Sequence, residues 1–255
     1  MLPCILFSFA HPDDESFCGA GTAMKYGAAG VRTVLVTATR GERGKTGNPP
    51  VCMPEELAAC RERELREAAR IVGFDELQIL GYRDRELADA PPDAVRQSLV
   101  SLIRRARPSV VATFDPNGFN VHPDHVAISR FTGDAIAAAA DPRWYPDAGD
   151  AHRVSRLVWT PPIPAWEVGK TERLDARGGV DFVLDVSPFR DRRAAALRAH
   201  RSQHLSVDRL FFNAPDLERI LGVEVWRQAW GPALGRRPSP DLLDGIENAE
   251  VGIEK

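Results

Sequence analysis

Leu2-Pro3-Cys4-Ile5-Leu6-Phe7-Ser8-Phe9-Ala10-His11-Pro12-Asp13-Asp14-Glu15 decides how this chain is read. From Cys4 to Ala10 only Ser8 interrupts an apolar run, which predicts a short buried strand. One imidazole and three carboxylates then arrive within five residues, with Pro12 fixing the turn between them. Packing gives no reason for so much charge at the mouth of a buried strand, where an uncompensated carboxylate costs desolvation energy. A metal ion is the compensation that fits. A second cluster, His122-Pro123-Asp124-His125, follows another apolar run, Val110 to Phe114.

Outward from that stretch, strand and helix signals alternate. Apolar or β-branched runs predict strands at 31–38, 77–80, 109–114, 154–160 and 180–186. Helices are predicted at 16–30 (capped by Ser16), from Pro54 to Gly73, and at 92–106, 123–140 and 187–203. Glycines, charges and Pro49-Pro50 mark 39–52 as a long mobile loop. The rhythm predicts a single-domain α/β fold, a Rossmann-like mostly parallel sheet with helices on both faces. Both His/Asp clusters fall at carboxyl ends of strands, where such sheets bind ligands. Residues 1–230 are assigned to this domain and 231–255 to a loosely ordered C-terminal tail.

Bulk composition excludes several classes. With 255 residues, 44% hydrophobic and 27% charged, the chain can bury a sizeable core. A net charge of −3 supplies no basic field for nucleic acid or an anionic membrane. No apolar run approaches the roughly 20 residues of a membrane span, and the N-terminus lacks the pattern of a signal peptide. Cys4, Cys18, Cys52 and Cys60 form no C-x-x-C pair, which points to reduced thiols in a cytoplasm.

Catalytic zinc takes three protein ligands and leaves its fourth position to water. His11, Asp14 and one of His122 and His125 make such a set. Adjacent carboxylates do not easily point at one ion, so one of Asp13 and Asp14 is free to act as a base. The chemistry indicated is metal-assisted hydrolysis of a carbonyl bond, with a histidine stabilising the oxyanion or protonating the leaving nitrogen. The rival from another class is a non-haem iron oxygenase with a His/Asp/His triad, a chemistry usually carried by a jelly roll. A structural metal site would normally be closed by four residues rich in Cys or His. A non-catalytic Rossmann-like binding module is a poorer competitor, because Gly19-Ala20-Gly21 is followed by Met24 where the third glycine belongs.

Together, Ala10-His11-Pro12-Asp13-Asp14-Glu15 and His122-Pro123-Asp124-His125 resemble the signatures of the PIG-L/LmbE family of zinc-dependent N-acetylglucosaminide de-N-acetylases. Weaker matches follow in order: Thr39 to Gly44 resembles the family's T-x-G-E-x-G loop, and Arg61 to Leu65 its R-x-x-E-L helix. Tyr82-Arg83-Asp84 resembles a substrate-contacting loop, and Ala199 to Gln203 the A-H-x-S-Q segment. The resemblance spans roughly residues 3 to 205. It implies one zinc per chain, with other divalent metals such as iron open, held by His11, Asp14 and His125. It makes Asp13 the general base, His122 the group that stabilises the oxyanion and assists the leaving amine, and Asp124 the residue that orients His122. Arg61 and Asp84 match positions that grip the sugar.

The implied reaction removes an N-acetyl group from an N-acetylglucosamine conjugate, resembling a bacillithiol or mycothiol precursor or N-acetylglucosaminyl-phosphatidylinositol. The implied partner is a small amino-sugar substrate, with no nucleic acid and no membrane span; aglycone and a homo-oligomer stay open. In one departure, Asn120 stands where the mycothiol branch carries Tyr. Glu15 is read as a helix cap, and Arg40, Glu42 and Arg43 as a charged loop. His200 is read equally as a site residue or a helix-end histidine, and Trp144, Tyr145, Trp159 and Trp166 as rim packing or a stacking platform for a sugar.

Overall fold

The strand that leads into the first cluster, β1 (Cys4–Phe9), is buried at all its positions. The computed structural model describes residues 3–161 and 179–246. Around β1 lie β2 (Arg32–Thr39), β3 (Glu76–Tyr82), β4 (Val110–Thr113), β5 (Arg156–Trp159), β6 (Phe182–Asp185) and β7 (Val223–Trp230) in one sheet ordered β3-β2-β1-β4-β5-β7-β6. The first five strands of that order are parallel; β7 runs antiparallel to both β5 and β6. The expected α/β, mostly parallel architecture is thus present. The chain winds from β1 outward through β2 to β3, then returns to place β4 on the other side of β1. The crevice above β1 and β4 is therefore the topological switch point, where open α/β sheets bind ligands.

Helices cover both faces. On one, α4 (Pro92–Ala106) packs against α5 (Pro123–Ala139); on the other, α2 (Ala20–Ala28) and α3 (Leu57–Val72) pack with α6 (Arg190–Ala199). Gly73 ends α3 in the left-handed region at φ 84°, as its sequence position suggests.

The structure departs from the sequence reading in three places. The helix expected at 16–30 is two helices, α1 (Asp14–Cys18) and α2, broken at Gly19. Ser16 does not cap either: its hydroxyl donates to Glu15. The break is stabilised by Glu224 on β7, whose carboxylate accepts the Gly21 and Thr22 N–H groups at 2.9 and 2.7 Å, giving partners to the buried first N–H groups of α2. Second, β7 is a strand the sequence reading omits. Third, the described part of the tail, 231–246, is seated on the sheet. Leu242 is fully buried, Ser239 bridges to Phe182, and the buried Arg156 guanidinium donates to the carbonyls of Leu242 and Asp244.

Candidate metal centre and active site

Every residue that the sequence analysis names as catalytic, metal-ligating or sugar-gripping comes to the switch-point crevice. The end of β1 supplies His11, Asp13 and Asp14; α3 supplies Arg61; the loop after β3 supplies Asp84; and the start of α5 supplies His122, Asp124 and His125. All but His122 are buried. They lie in or beside a cavity of about 260 Å³, near the lower end of small-molecule sites.

Local backbone aims the side chains. Asp14 begins α1 and turns back to the strand end, where its Oδ2 accepts the N–H groups of Ala10 (3.2 Å) and His11 (2.7 Å). Asp13 precedes it at φ 114°, a left-handed conformation costly for a side-chain-bearing residue. Two contacts hold it there: Glu15 Oε2 accepts the Asp13 N–H at 3.0 Å, and Arg61 donates to the Pro12 carbonyl. Arg61 also meets Asp13 Oδ2 at 3.0 Å and donates to the Gly41 carbonyl. That approach requires glycine, since a Cβ on Gly41 would lie 2.2 Å from the guanidinium.

His125 is fixed by stacking on Phe114, with centroids 4.0 Å apart, and by its Nδ1, 3.1 Å from the Gly118 carbonyl. His11 has its Nε2 3.1 Å from Asp124 Oδ2 and 3.2 Å from Asp84 Oδ1. These acceptors assign the proton of each ring to the nitrogen facing them. The remaining nitrogens, His11 Nδ1 and His125 Nε2, then face each other as acceptors 3.1 Å apart. Asp14 carboxylate oxygens lie 3.5 and 3.4 Å from these two nitrogens. Two imidazole lone pairs and a carboxylate repel one another unless a proton or a metal cation lies among them. A tetrahedral ion with bonds near 2.0–2.1 Å would hold its ligand atoms about 3.3–3.4 Å apart, which matches this spacing. Two further groupings, His11 with His122 and His125 and His11 with Asp84 and Asp124, also have their ligand atoms within 4.8 Å of one another.

The electrostatics are strongly perturbed. Burial pushes the Asp13 carboxyl up to about 6, against the pull of Arg61. Burial alone would lower His11, but its hydrogen bonds to Asp124, Asp14 and Asp84 raise it well above the usual imidazole value. Asp84, against the upward push of burial, is held down to about 2 by His11. His122 is lowered by burial and by its histidine neighbours; its Nδ1 accepts the Asp124 N–H at 3.2 Å.

The structure revises several expectations. Asp124 does not turn its carboxylate to His122: Oδ2 accepts the Arg85 N–H at 2.6 Å and meets His11, while Oδ1 accepts from Leu87. Its place, buried beneath His11, puts His11 in reach and leaves only the backbone N–H for His122. Arg61 and Asp84, expected to grip a sugar, line the cavity but are engaged with Asp13 and His11 respectively. The loop 39–52 is tied down: Glu42 accepts the Asp84 N–H, Asp84 accepts the Arg43 N–H, and Gln203 donates to the Lys45 carbonyl. Trp144, Tyr145 and Trp159 do not line the cavity; Tyr145 donates to Asp93, and Arg96 lies over Trp144. Trp166 lies outside the described residues.

Two residues matter more than their sequence positions suggest. Glu15 is not merely a helix cap: its Oε1 is 2.6 Å from His200 Nε2, and both side chains are almost wholly buried. This pair underlies the Asp13 turn, and the Ala199-to-Gln203 match was its sequence signal. Asn120, the departure noted before the second motif, lines the cavity, as do Arg85, Arg209 and Phe119, which no motif announces.

The family described as PIG-L: GlcNAc-PI de-N-acetylase matches residues 6–136. A probable N-acetyl-alpha-D-glucosaminyl L-malate deacetylase 2 of Bacillus anthracis is 43% identical over 53% of this chain and 58% of its own. A 1D-myo-inositol 2-acetamido-2-deoxy-alpha-D-glucopyranoside deacetylase 1 of Frankia casuarinae is 31% identical, covering 95% of this chain and 94% of its own. Among solved structures, a conserved protein of Thermus thermophilus superposes with a TM-score of 0.68 at 30% identity, over 91% of this chain and 97% of that one.

Proposed function

The chain belongs to the PIG-L family of de-N-acetylases, and from that premise we propose that it hydrolyses the acetamide of an N-acetylglucosamine conjugate at the crevice above β1 and β4. The observation that carries the reading is the meeting of His11 Nδ1, His125 Nε2 and Asp14 at metal-ligand spacing with Asp13 beside them. His11, Asp14 and His125 would hold one zinc ion. Zinc there would polarise the amide carbonyl and lower the pKa of bound water to about 7. The oxygenase and non-catalytic alternatives do not fit a family of amide hydrolases.

The chain's own residues do the rest. Asp13, with its carboxyl near 6, takes a proton from the attacking water at an affinity suited to neutral pH. Arg61 keeps that carboxylate in one orientation. His122 accepts the Asp124 N–H at Nδ1, so its Nε2 carries the proton and donates it toward the developing oxyanion. Asp124 and Asp84 fix the tautomer of His11 from behind. The proton taken by Asp13 passes to the leaving nitrogen, giving acetate and a free amine. The relatives are named as deacetylases of N-acetylglucosaminyl malate and of an N-acetylglucosaminyl inositol, and an amino-sugar conjugate of that size suits the cavity.

No helix among the described residues is long and apolar enough to cross a membrane. The four free cysteines suit a reducing compartment such as the cytoplasm. The test is amine release from N-acetylglucosaminyl malate and N-acetylglucosaminyl inositol, before chelation, after chelation and after zinc is restored. The expected result is activity on at least one conjugate, lost with the metal and regained with zinc. Zinc-replete protein that releases no amine from either would refute the reading.

A further inference from the structure

The cavity combines an acidic floor with a basic mouth. Its lining carboxylates are already engaged: Asp13 by Arg61, Asp14 by His125, and Asp84 by His11. Three exposed arginines, Arg43, Arg85 and Arg209, also line it. Arg43 pairs with Glu86. Among the described residues, neither the Arg85 nor the Arg209 side chain forms an ion pair; the Arg85 guanidinium donates to the Arg43 carbonyl, at 3.2 Å. The chain as a whole carries a net charge of −3, so this surplus at one mouth does not follow from composition.

Resting on the deacetylase reading, we infer that the group joined to the amino sugar is an acid, a carboxylate or a phosphate, received by Arg85 and Arg209. A guanidinium presents donors only, in a planar fork that matches either oxyanion. A neutral polyol would need acceptors for its own hydroxyl protons, and the lining carboxylates are already occupied. An anion there also balances the positive charge that Arg85 and Arg209 bring to the lining without a carboxylate partner among the described residues. A cleft lined by one sign of charge raises the capture rate of the opposite sign by about 10- to 1,000-fold, an advantage that salt screens.

The test compares three α-N-acetylglucosaminides on the zinc-loaded full chain, at low and at high sodium chloride: the malate conjugate, an inositol phosphodiester and neutral inositol. The kcat/KM for at least one acidic conjugate is expected to exceed that for the neutral one by about tenfold or more at low salt. The gap should narrow at high salt, and the two acidic probes separate carboxylate from phosphate. Arg209→Gln and Arg85→Gln should each shrink the acidic-to-neutral ratio, mainly through KM. The same ratio should appear in dissociation constants measured on Asp13→Asn. Equal or better use of the neutral conjugate, or a preference indifferent to salt and to both arginines, would overturn the inference. Selective binding of an acidic conjugate without any amine release would uphold the acid site and refute the deacetylase reading alone.

Discussion

Asp13 and Asp14 are chain neighbours with different partners: one meets Arg61, the other the two histidines and the strand-end N–H groups. Asp13→Ala is therefore expected to retain stoichiometric zinc and lose about 100- to 10,000-fold in kcat, whereas Asp14→Ala loses metal and turnover together. Elemental analysis with amine-release rates checks both, and an active Asp13→Ala would remove it from the role of base. These residues were legible because His, Asp and Pro recur in two short clusters. The pairing of Glu15 with His200 was not, because they lie 185 positions apart and a buried ion pair leaves no local pattern. Each is perturbed by the other: Glu15 is lowered by His200 and His200 raised by Glu15, both against burial. The pair's contribution to stability is accordingly full between the ordinary carboxyl value near 4.5 and the ordinary imidazole value near 6.5. It is lost as pH falls through the lowered Glu15 pKa and as pH rises through the raised His200 pKa. His200→Gln should cost about 3–5 kcal/mol near pH 6, from breaking a buried pair. Urea unfolding across pH checks it; a loss below 1 kcal/mol would argue against the pair.

At the scale of elements, strands and long helices were readable from apolar runs and from Pro and Gly punctuation, as at Pro54 and Gly73. The break at Gly19 was not, because what stabilises it is Glu224, two hundred residues away. Glu224 also meets the buried Arg193 at 3.1 Å. Glu224→Ala should therefore destabilise the fold by about 3 kcal/mol or more, from a buried cation left unpaired and a helix end left uncapped; chemical denaturation measures it. Gly118 is a second such point. It holds φ 67°, and an added Cβ would lie 2.7 Å from the Val126 nitrogen. Gly118→Ala should shift the loop that fixes His125 and weaken zinc binding, a change read by competition with a chromophoric chelator. Unchanged affinity would show that the loop absorbs the side chain.

Across the whole molecule, the alternation of strands and helices revealed the sheet, and the two clusters at strand ends revealed the crevice. The pairing of β7 between β5 and β6 stayed hidden, since β7 carries Glu224 and Arg227 within its run and its partners are distant. The tail 231–246 read as loose because Gly, Pro and charge dominate it, yet it supplies carbonyl acceptors to Arg156. A chain ending at Trp230 would leave that guanidinium buried without them, so thermal unfolding should fall sharply or lose cooperativity. An unchanged transition would mean the tail is dispensable.

The central claim is that one metal ion joins the turn after β1 to the first turn of α5. Anomalous diffraction at the zinc edge, from crystals of the zinc-loaded protein, tests it most directly. The expected result is a single peak bonded at about 2.0–2.2 Å to His11 Nδ1, His125 Nε2 and an Asp14 oxygen, with Asp13 beside it and unbonded. A peak among His11 Nε2, Asp84 and Asp124, or no peak in the crevice, would contradict the account.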